Sequence, residues 1–173
     1  YDFEPVVKQL LKPDALPNVR FILPHAPDMA VSRNNGYIMP AWYDVYGVIP
    51  VNQEDEDGIK ASQHYIDALI QNEIDRGISS DRIVLAGFSQ GGAVALYAGL
   101  RHRERLAGIV ALSTYLIDAP ALAAEAAPAN RDVPIFMAHG TFDPVVHIAW
   151  AEQSRQALVD AGWHVEWQAY PME

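Results

Sequence analysis

The sequence has 173 residues, half of them hydrophobic and a fifth charged, which fits one globular domain with a buried core. Its formal net charge of −10 argues against nucleic acids and anionic membranes as partners, because both require a basic face. The lack of cysteine excludes disulfides and thiol catalysis and fits a reducing compartment, so a cytoplasmic location is expected. No apolar run is long enough to span a bilayer, so membrane insertion is not expected.

The first third of the chain combines a predicted helix, a predicted strand and a long loop. Residues 2–11 carry apolar side chains on one helical face, with Asp2 as the N-cap. Residues 19–23 form a short apolar run that predicts a buried strand. Residues 24–50 are rich in Pro, Gly and Asn but also in aromatic residues, which argues against disorder. We therefore expect a structured loop folded over the functional face.

The rest of the chain alternates helices with strands. This alternation predicts an α/β fold with a mostly parallel central sheet and helices on both faces, in a single domain over residues 1–173. An acidic run at residues 54–57 suits the first turn of a helix better than a calcium site. The predicted helices span residues 54–77, 90–102 and 144–161, the strands span 83–86, 106–112, 133–138 and 163–170, and residues 120–129 form a surface connection with a helical turn or more.

A G-x-S-x-G motif joins one strand to the helix after it. Gly87 and Gly91 flank Ser89 at the two places where a bulky side chain would block a sharp reversal. This context is typical of a nucleophile elbow, which holds a serine hydroxyl above the carboxyl end of a sheet. The backbone N–H of Gln90 then opens the helix, aimed where an oxyanion would form. The alternative is a glycine-rich turn whose serine only caps the helix.

An acid that orients a general base is expected after a later strand. A serine is a poor nucleophile until a base takes its proton, and on this architecture the acid and then a histidine follow the serine in the chain. Asp143 lies in the turn after the strand at residues 133–138, at the carboxyl end of the sheet. Asp118 is the weaker candidate, and Asp132 precedes its strand. Asp143 is also placed to cap the next helix.

The sequence offers no good general base. Only His147 and His164 follow Asp143. His164 begins the last predicted strand, so about six residues at ~3.3 Å each separate it from the chemistry by roughly 20 Å. His147 lies in the first turn after the acid, a poor position for reaching Ser89. The position expected for the base is the loop after Tyr170.

A metal site is not expected. His139, Asp143 and His147 are spaced by four residues, but Gly140 and Pro144 break any helix that would align them. The turn at the strand end explains the aspartate better. The other histidines, His25, His64 and His102, are interpreted as loop or helix-surface residues.

Six stretches of the chain resemble the carboxylesterase/phospholipase group of α/β-hydrolases, which includes acyl-protein thioesterases. The resemblance covers essentially all residues and is closest to small bacterial carboxylesterases. The stretches are LPHAP (23–27), NNG (34–36), MPAWYD (39–44), GISSDRIVLAGFSQGG (77–92), ALSTY (111–115) and HGTFDPVV (139–146).

The resemblance implies an α/β-hydrolase fold and a serine carboxylester hydrolase acting on short to medium acyl esters. It implies Ser89 as nucleophile, Asp143 as triad acid and the Gln90 N–H as one oxyanion donor. It also implies that the loop with Met39 and Trp42 lines the acyl pocket. A small-molecule ester is the expected partner, a homodimer is possible, and no cofactor is expected.

Two departures from the family pattern concern the ends of the sequence. In the family, a strand and an H-G-x-G-type turn with the second oxyanion donor precede the segment that begins here at Tyr1. Residues 170–173 are similar to those just before the family's catalytic histidine. The resemblance therefore implies a chain cut at both ends, with its base outside and no activity on its own. The alternatives are acyl-protein thioesterase or lysophospholipase activity, a non-catalytic acyl-binding homologue, and a peptidase on the same fold.

Overall fold

Alternating strands and helices follow the predicted order along most of the chain. The computed structural model describes residues 3–11, 16, 18–47 and 54–173. The proposed cap Asp2 lies outside the described residues. In chain order the elements are α1 (Glu4–Leu10), β1 (Asp28–Val31), β2 (Tyr37–Pro40), α2 (Glu56–Asp75), β3 (Val84–Phe88), α3 (Gln90–Arg101), β4 (Gly108–Leu112), α4 (Ala119–Glu125), β5 (Ile135–Gly140), α5 (Ile148–Asp160) and β6 (Val165–Tyr170).

A four-stranded parallel sheet forms the centre of the molecule, in the order β3-β4-β5-β6. In its register Phe88 lies opposite Leu112, Leu112 opposite Ala138, and Ala138 opposite Gln168. The carboxyl ends of β3 and β4 are therefore level, and β5 extends two residues further, to Gly140. This brings the turns after β3 and β5 to the same edge of the sheet.

One face of the sheet carries the main hydrophobic core. Leu85, Ile109, Ile135 and Val165 are adjacent in the register and share this face. Helices α2, α3, α4 and α5 pack against it, and their leucines exclude water, each such burial contributing about 1.5–3 kcal/mol. The fully buried leucines of these helices are Leu96, Leu100, Leu122 and Leu158.

The opposite face is covered unevenly. Val84 and Phe88 of β3 are 52% and 49% exposed. Phe3, at the start of α1, packs its ring 5.9 Å from that of Phe88. Helices thus lie on both faces of the sheet, as predicted. In the described part of the chain, four helices cover one face and α1 lies on the other.

The strand predicted over residues 19–23 does not form. These residues have no regular secondary structure, and Val19, Ile22 and Leu23 are exposed. Arg20 pairs with Glu73 of α2 at 3.4 Å. A strand requires a hydrogen-bonding neighbour, and among the described residues no ladder reaches this segment or the outer edge of β3.

The long loop contains a hairpin that the sequence did not predict. Strands β1 and β2 pair antiparallel, from Asp28 opposite Pro40 to Val31 opposite Tyr37. The chain reverses at Asn35, whose φ of 55° is left-handed. Asn tolerates that region better than most residues, which makes the tight turn possible. The end of the predicted loop, at residues 48–50, lies outside the described residues.

The prediction that His102 is an ordinary surface residue is wrong. The residue is 4% exposed, and its Nδ1 lies 2.8 Å from a carboxylate oxygen of Asp67 on α2. Its carbonyl accepts a hydrogen bond from the Asn130 side chain. The contact between His102 and Asp67 connects the end of α3 to α2. No local sequence pattern predicts this contact.

Candidate active site

The turn between β3 and α3 holds Ser89 in a strained backbone conformation. Its φ of 52° and ψ of −122° lie in a region that costs a non-glycine residue about 1–3 kcal/mol. Three hydrogen bonds fix it: Ser89 N–H donates to Leu112 O (2.8 Å), and Ser89 O accepts from Ala93 N (3.1 Å) and Thr114 Oγ1 (2.6 Å). The Ser89 side chain makes no capping hydrogen bond to α3, so the helix-cap interpretation is wrong.

Two glycines make this turn sterically possible, and only one of them belongs to the G-x-S-x-G motif. A Cβ on Gly87 would overlap the carbonyl group of Gly91 and lie 2.5 Å from Gly92 N. A Cβ on Gly92 would lie 2.8 Å from a methyl group of Thr114. A Cβ on Gly91 would meet only the indole Nε1 of Trp42, at 3.7 Å, which is ordinary contact. The steric role assigned to Gly91 therefore belongs to Gly92, which lets α3 pack close to β4.

The backbone N–H of Gln90 opens helix α3 directly beside Ser89. It belongs to the first turn, whose N–H groups have no intrahelical acceptor. The helix dipole adds partial positive charge at the same place. This position suits an oxyanion donor.

The side chain of Gln90 has a second role that sequence reasoning missed. Its Oε1 accepts from Trp42 N at 2.8 Å, and its Nε2 donates to Tyr43 O at 2.8 Å. Ser62 of α2 donates its hydroxyl to Trp42 O. The loop that was expected to cover the functional face is thereby fixed to the first turn of α3.

A buried pair of tyrosines anchors the Trp42 loop in the core. The hydroxyls of Tyr43 and Tyr115 lie 2.6 Å apart, with both residues in the core. Burial raises the pKa of Tyr43 well above its ordinary value, and Tyr115 raises it further. Burial also raises the pKa of Tyr115. Both hydroxyls therefore remain neutral at physiological pH and share one hydrogen bond.

Of the two predicted pocket residues, Trp42 lies against the elbow and Met39 contacts the hairpin. The indole of Trp42 approaches Gly91 and packs with its ring centroid 6.0 Å from that of Tyr65. Met39 lies on β2, and its sulfur accepts a hydrogen bond from Asn34 at 3.1 Å. The contacts of Trp42 are therefore the ones that reach the serine turn.

The turn after β5 holds Asp143 by its own backbone. One carboxylate oxygen accepts from Val145 N (2.8 Å) and Val146 N (2.9 Å), and the other lies 3.6 Å from His139 Nε2. The side chain is 11% exposed. These bonds form a tight turn, so α5 begins at Ile148 rather than at residue 144.

The alternative acids lie in different surroundings. Asp118 is exposed and caps α4 by accepting from Ala121 N at 3.3 Å. Asp132 pairs with Arg105 before β5, at the opposite end of the sheet, and this pair lowers the pKa of Asp132. Asp143 is thus the candidate acid that lies half-buried at the edge of the sheet that carries Ser89.

The last residues run across the Asp143 turn. Thr141 N donates to Tyr170 O at 2.8 Å, and Phe142 N donates to Met172 O at 3.0 Å. A Cβ on Gly140 would lie 2.5 Å from Met172 O and 2.8 Å from the carbonyl of Glu173. Gly140 therefore admits the main chain of residues 172 and 173 beside the acid.

The two histidines near the acid have other partners. His139 is buried, its Nε2 lies 2.7 Å from Val146 O, and its ring stacks on Trp167. His147 caps α5, with Nδ1 accepting from Ala149 N at 3.4 Å. Among the described residues, neither ring is hydrogen bonded to Ser89, and no group of three acidic or histidine side chains converges as for a metal ion. Within the same residues, no helix combines the length and apolarity needed to cross a membrane.

The parallel sheet, the serine elbow after β3 and the acidic turn after β5 define an α/β-hydrolase. A sequence model of the family described as phospholipase/carboxylesterase matches residues 6–173. The chain therefore belongs to the phospholipase/carboxylesterase family.

Known proteins support the same conclusion. Acyl-protein thioesterase 1 of Neurospora crassa is 45% identical, over 95% of this chain and 70% of that protein. The crystal structure of Arabidopsis thaliana SOBER1 aligns with a TM-score of 0.90 at 28% identity, covering 98% of this chain and 81% of that one. Zea mays acyl-protein thioesterase 2 aligns with a TM-score of 0.83 at 28% identity, covering 98% and 79%. The predicted family and fold are confirmed; the homodimer and the cytoplasmic location stay predictions.

Proposed function

We propose that this protein is a serine hydrolase that cleaves acyl esters or thioesters through an acyl-enzyme intermediate on Ser89. The observation that carries the proposal is the strained turn that presents a hydroxyl not used for capping, at the sheet edge that also holds Asp143. Strain of this kind is maintained where function requires it. Membership of a hydrolase family supports the same chemistry.

In the proposed reaction the Ser89 oxygen attacks the acyl carbonyl while a histidine takes its proton. The oxyanion forms against the Gln90 N–H, and the histidine then protonates the leaving alcohol or thiol. Asp143 orients the histidine and stabilises its charged form. Water attacks the acyl-enzyme by the same steps in reverse order, which releases the acid and restores the serine.

The general base of this mechanism is a histidine that contacts both Ser89 and Asp143. No described histidine joins Ser89 to the acid. The main chain at Met172 and Glu173 passes beside Gly140, so a histidine directly after Glu173 would approach Asp143. The second oxyanion donor is likewise assigned to a turn outside these residues, as the family resemblance implies.

The leaving group separates two candidate substrates. Short to medium carboxylic esters are the expectation from the sequence, whereas the 45% identity to an acyl-protein thioesterase of Neurospora crassa favours acyl thioesters. Both substrates give the same acyl-enzyme, since only the departing oxygen or sulfur differs. The non-catalytic acyl-binding alternative predicts binding of acyl chains without turnover.

The test is turnover by the intact protein on nitrophenyl acyl esters and on a matched acyl thioester. Ser89→Ala should lower kcat by about 10⁴-fold or more on both substrates. Ser113→Ala is the matched control, since Ser113 directly follows the neighbouring strand β4 and also has positive φ. Equal activity of wild type and Ser89→Ala would overturn the proposal, and acyl binding without turnover by wild type would favour the binding homologue.

A further inference from the structure

We propose that the Gln90 side chain is a positioning residue that holds Trp42 against the elbow and so sets the length of acyl chain accepted. The inference rests on the proposed function and takes Trp42 as part of the acyl-binding wall, as the family resemblance implies. It concerns the side-chain amide of Gln90, which is distinct from its backbone N–H.

The amide of Gln90 matches both contacts. It offers one acceptor and one donor in a fixed plane. The oxygen accepts from the backbone N–H of Trp42, and the nitrogen donates to the backbone carbonyl of Tyr43, both at 2.8 Å. Glutamate would keep an acceptor for Trp42 N–H but would face the Tyr43 carbonyl with a second acceptor. Methionine would keep the volume and lose both hydrogen bonds.

The contacts of Trp42 connect the Gln90 amide with the proposed acyl-binding wall. The Trp42 N–H is held by Gln90 and its carbonyl by Ser62 of α2, so the backbone is fixed from both directions. The indole then lies near Gly91 and packs against the ring of Tyr65. One residue therefore connects the proposed acyl wall with the proposed oxyanion donor, and a shift of the loop would alter both.

The experiment compares Gln90→Met and Gln90→Glu with Trp42→Ala in the intact protein, using acetyl and octanoyl nitrophenyl esters. Gln90→Met should raise KM for the octanoyl ester about tenfold and raise KM for the acetyl ester less. For Gln90→Glu, KM for the octanoyl ester should lie between those of wild type and Gln90→Met. In the Trp42→Ala background, Gln90→Met should add less than about twofold, because its effect passes through the indole. Gln156→Met is the matched control, since that exposed amide bonds only Asp160.

Equal losses on both esters, or losses that multiply fully with those of Trp42→Ala, would overturn the inference. If Gln90→Met does not fold by thermal melting, Gln90→Glu decides the question under the same criteria. Hydrolysis that persists in Ser89→Ala overturns the proposed function instead. Ser89-dependent hydrolysis with independent Gln90 and Trp42 effects overturns this inference alone.

Discussion

The serine turn and the acid turn lie at one edge of the sheet but are held in different ways. The serine turn depends on distant parts of the chain, through Thr114 against Gly92 and the Trp42 loop on Gln90. The Asp143 carboxylate, by contrast, is held by its own neighbours, since it accepts N–H groups two and three residues further on. The serine turn is therefore sensitive to volume added at Gly87 or Gly92, whereas the orientation of the acid depends on the chemistry of its own side chain.

The largest loss of activity is expected when the charge of the Asp143 carboxylate is removed. Asp143→Asn keeps an oxygen for the two N–H groups, so the turn should persist. In the intact protein the rate should fall by about 10³–10⁴-fold, because the proposed histidine loses its orientation and the stabilisation of its charge. Kinetics and thermal melting measure the two properties separately.

Asp118→Asn serves as the control for this prediction, because Asp118 caps α4 and is exposed. It should leave the rate within about twofold of wild type. A fully active Asp143→Asn beside an inactive Asp118→Asn would assign the acid to the turn after β4.

The serine turn should instead be destabilised by a single methyl group added at Gly87. Gly87→Ala places a Cβ against the backbone of Gly91, which has no room to move, so stability should fall by about 3 kcal/mol or more. Gly91→Ala meets only Trp42, in ordinary contact, and should change the free energy of unfolding by less than about 1 kcal/mol. Urea unfolding of the two variants measures the difference, and equal losses would contradict the steric assignment.

The sequence could predict both turns because each is encoded locally. A glycine-serine-glycine motif between an apolar run and a helix marks the elbow, and the position of Asp143 after a strand marks the acid. The alternation of elements likewise predicted the parallel sheet. These signals need no knowledge of which segments meet.

Features that depend on a partner in space could not be predicted. Residues 19–23 have the composition of a strand, but pairing requires a neighbour. The burial of His102 depends on Asp67, 35 positions away, and the contact of the Gln90 amide depends on a loop 47 and 48 positions away. The motif could not reveal that Gly92, rather than Gly91, meets Thr114.

The smallest effect concerns the tyrosine pair beneath the loop. Tyr115→Phe should cost about 1–3 kcal/mol, because it leaves the buried Tyr43 hydroxyl without a partner, whereas the double phenylalanine variant should cost less. The raised pKa of Tyr43 means that the stability it contributes is complete below its unfolded pKa of about 10 and is lost as pH rises through the folded value. Wild type should therefore lose stability above about pH 10, and the double variant should lose less.

Urea unfolding between pH 7 and 11 measures this difference. The double variant is the control, because it keeps every other ionisable group of the protein. Identical pH profiles for wild type and the double variant would contradict the assigned burial of the pair.

In the proposed mechanism Ser89 carries the acyl group during turnover. Acid quenching of the intact protein during hydrolysis of an acyl ester, followed by peptide mapping by mass spectrometry, tests it most directly. One added acyl mass is expected on the peptide that contains Ser89, and none in Ser89→Ala. An acyl adduct on another residue, or steady turnover by Ser89→Ala, would contradict it.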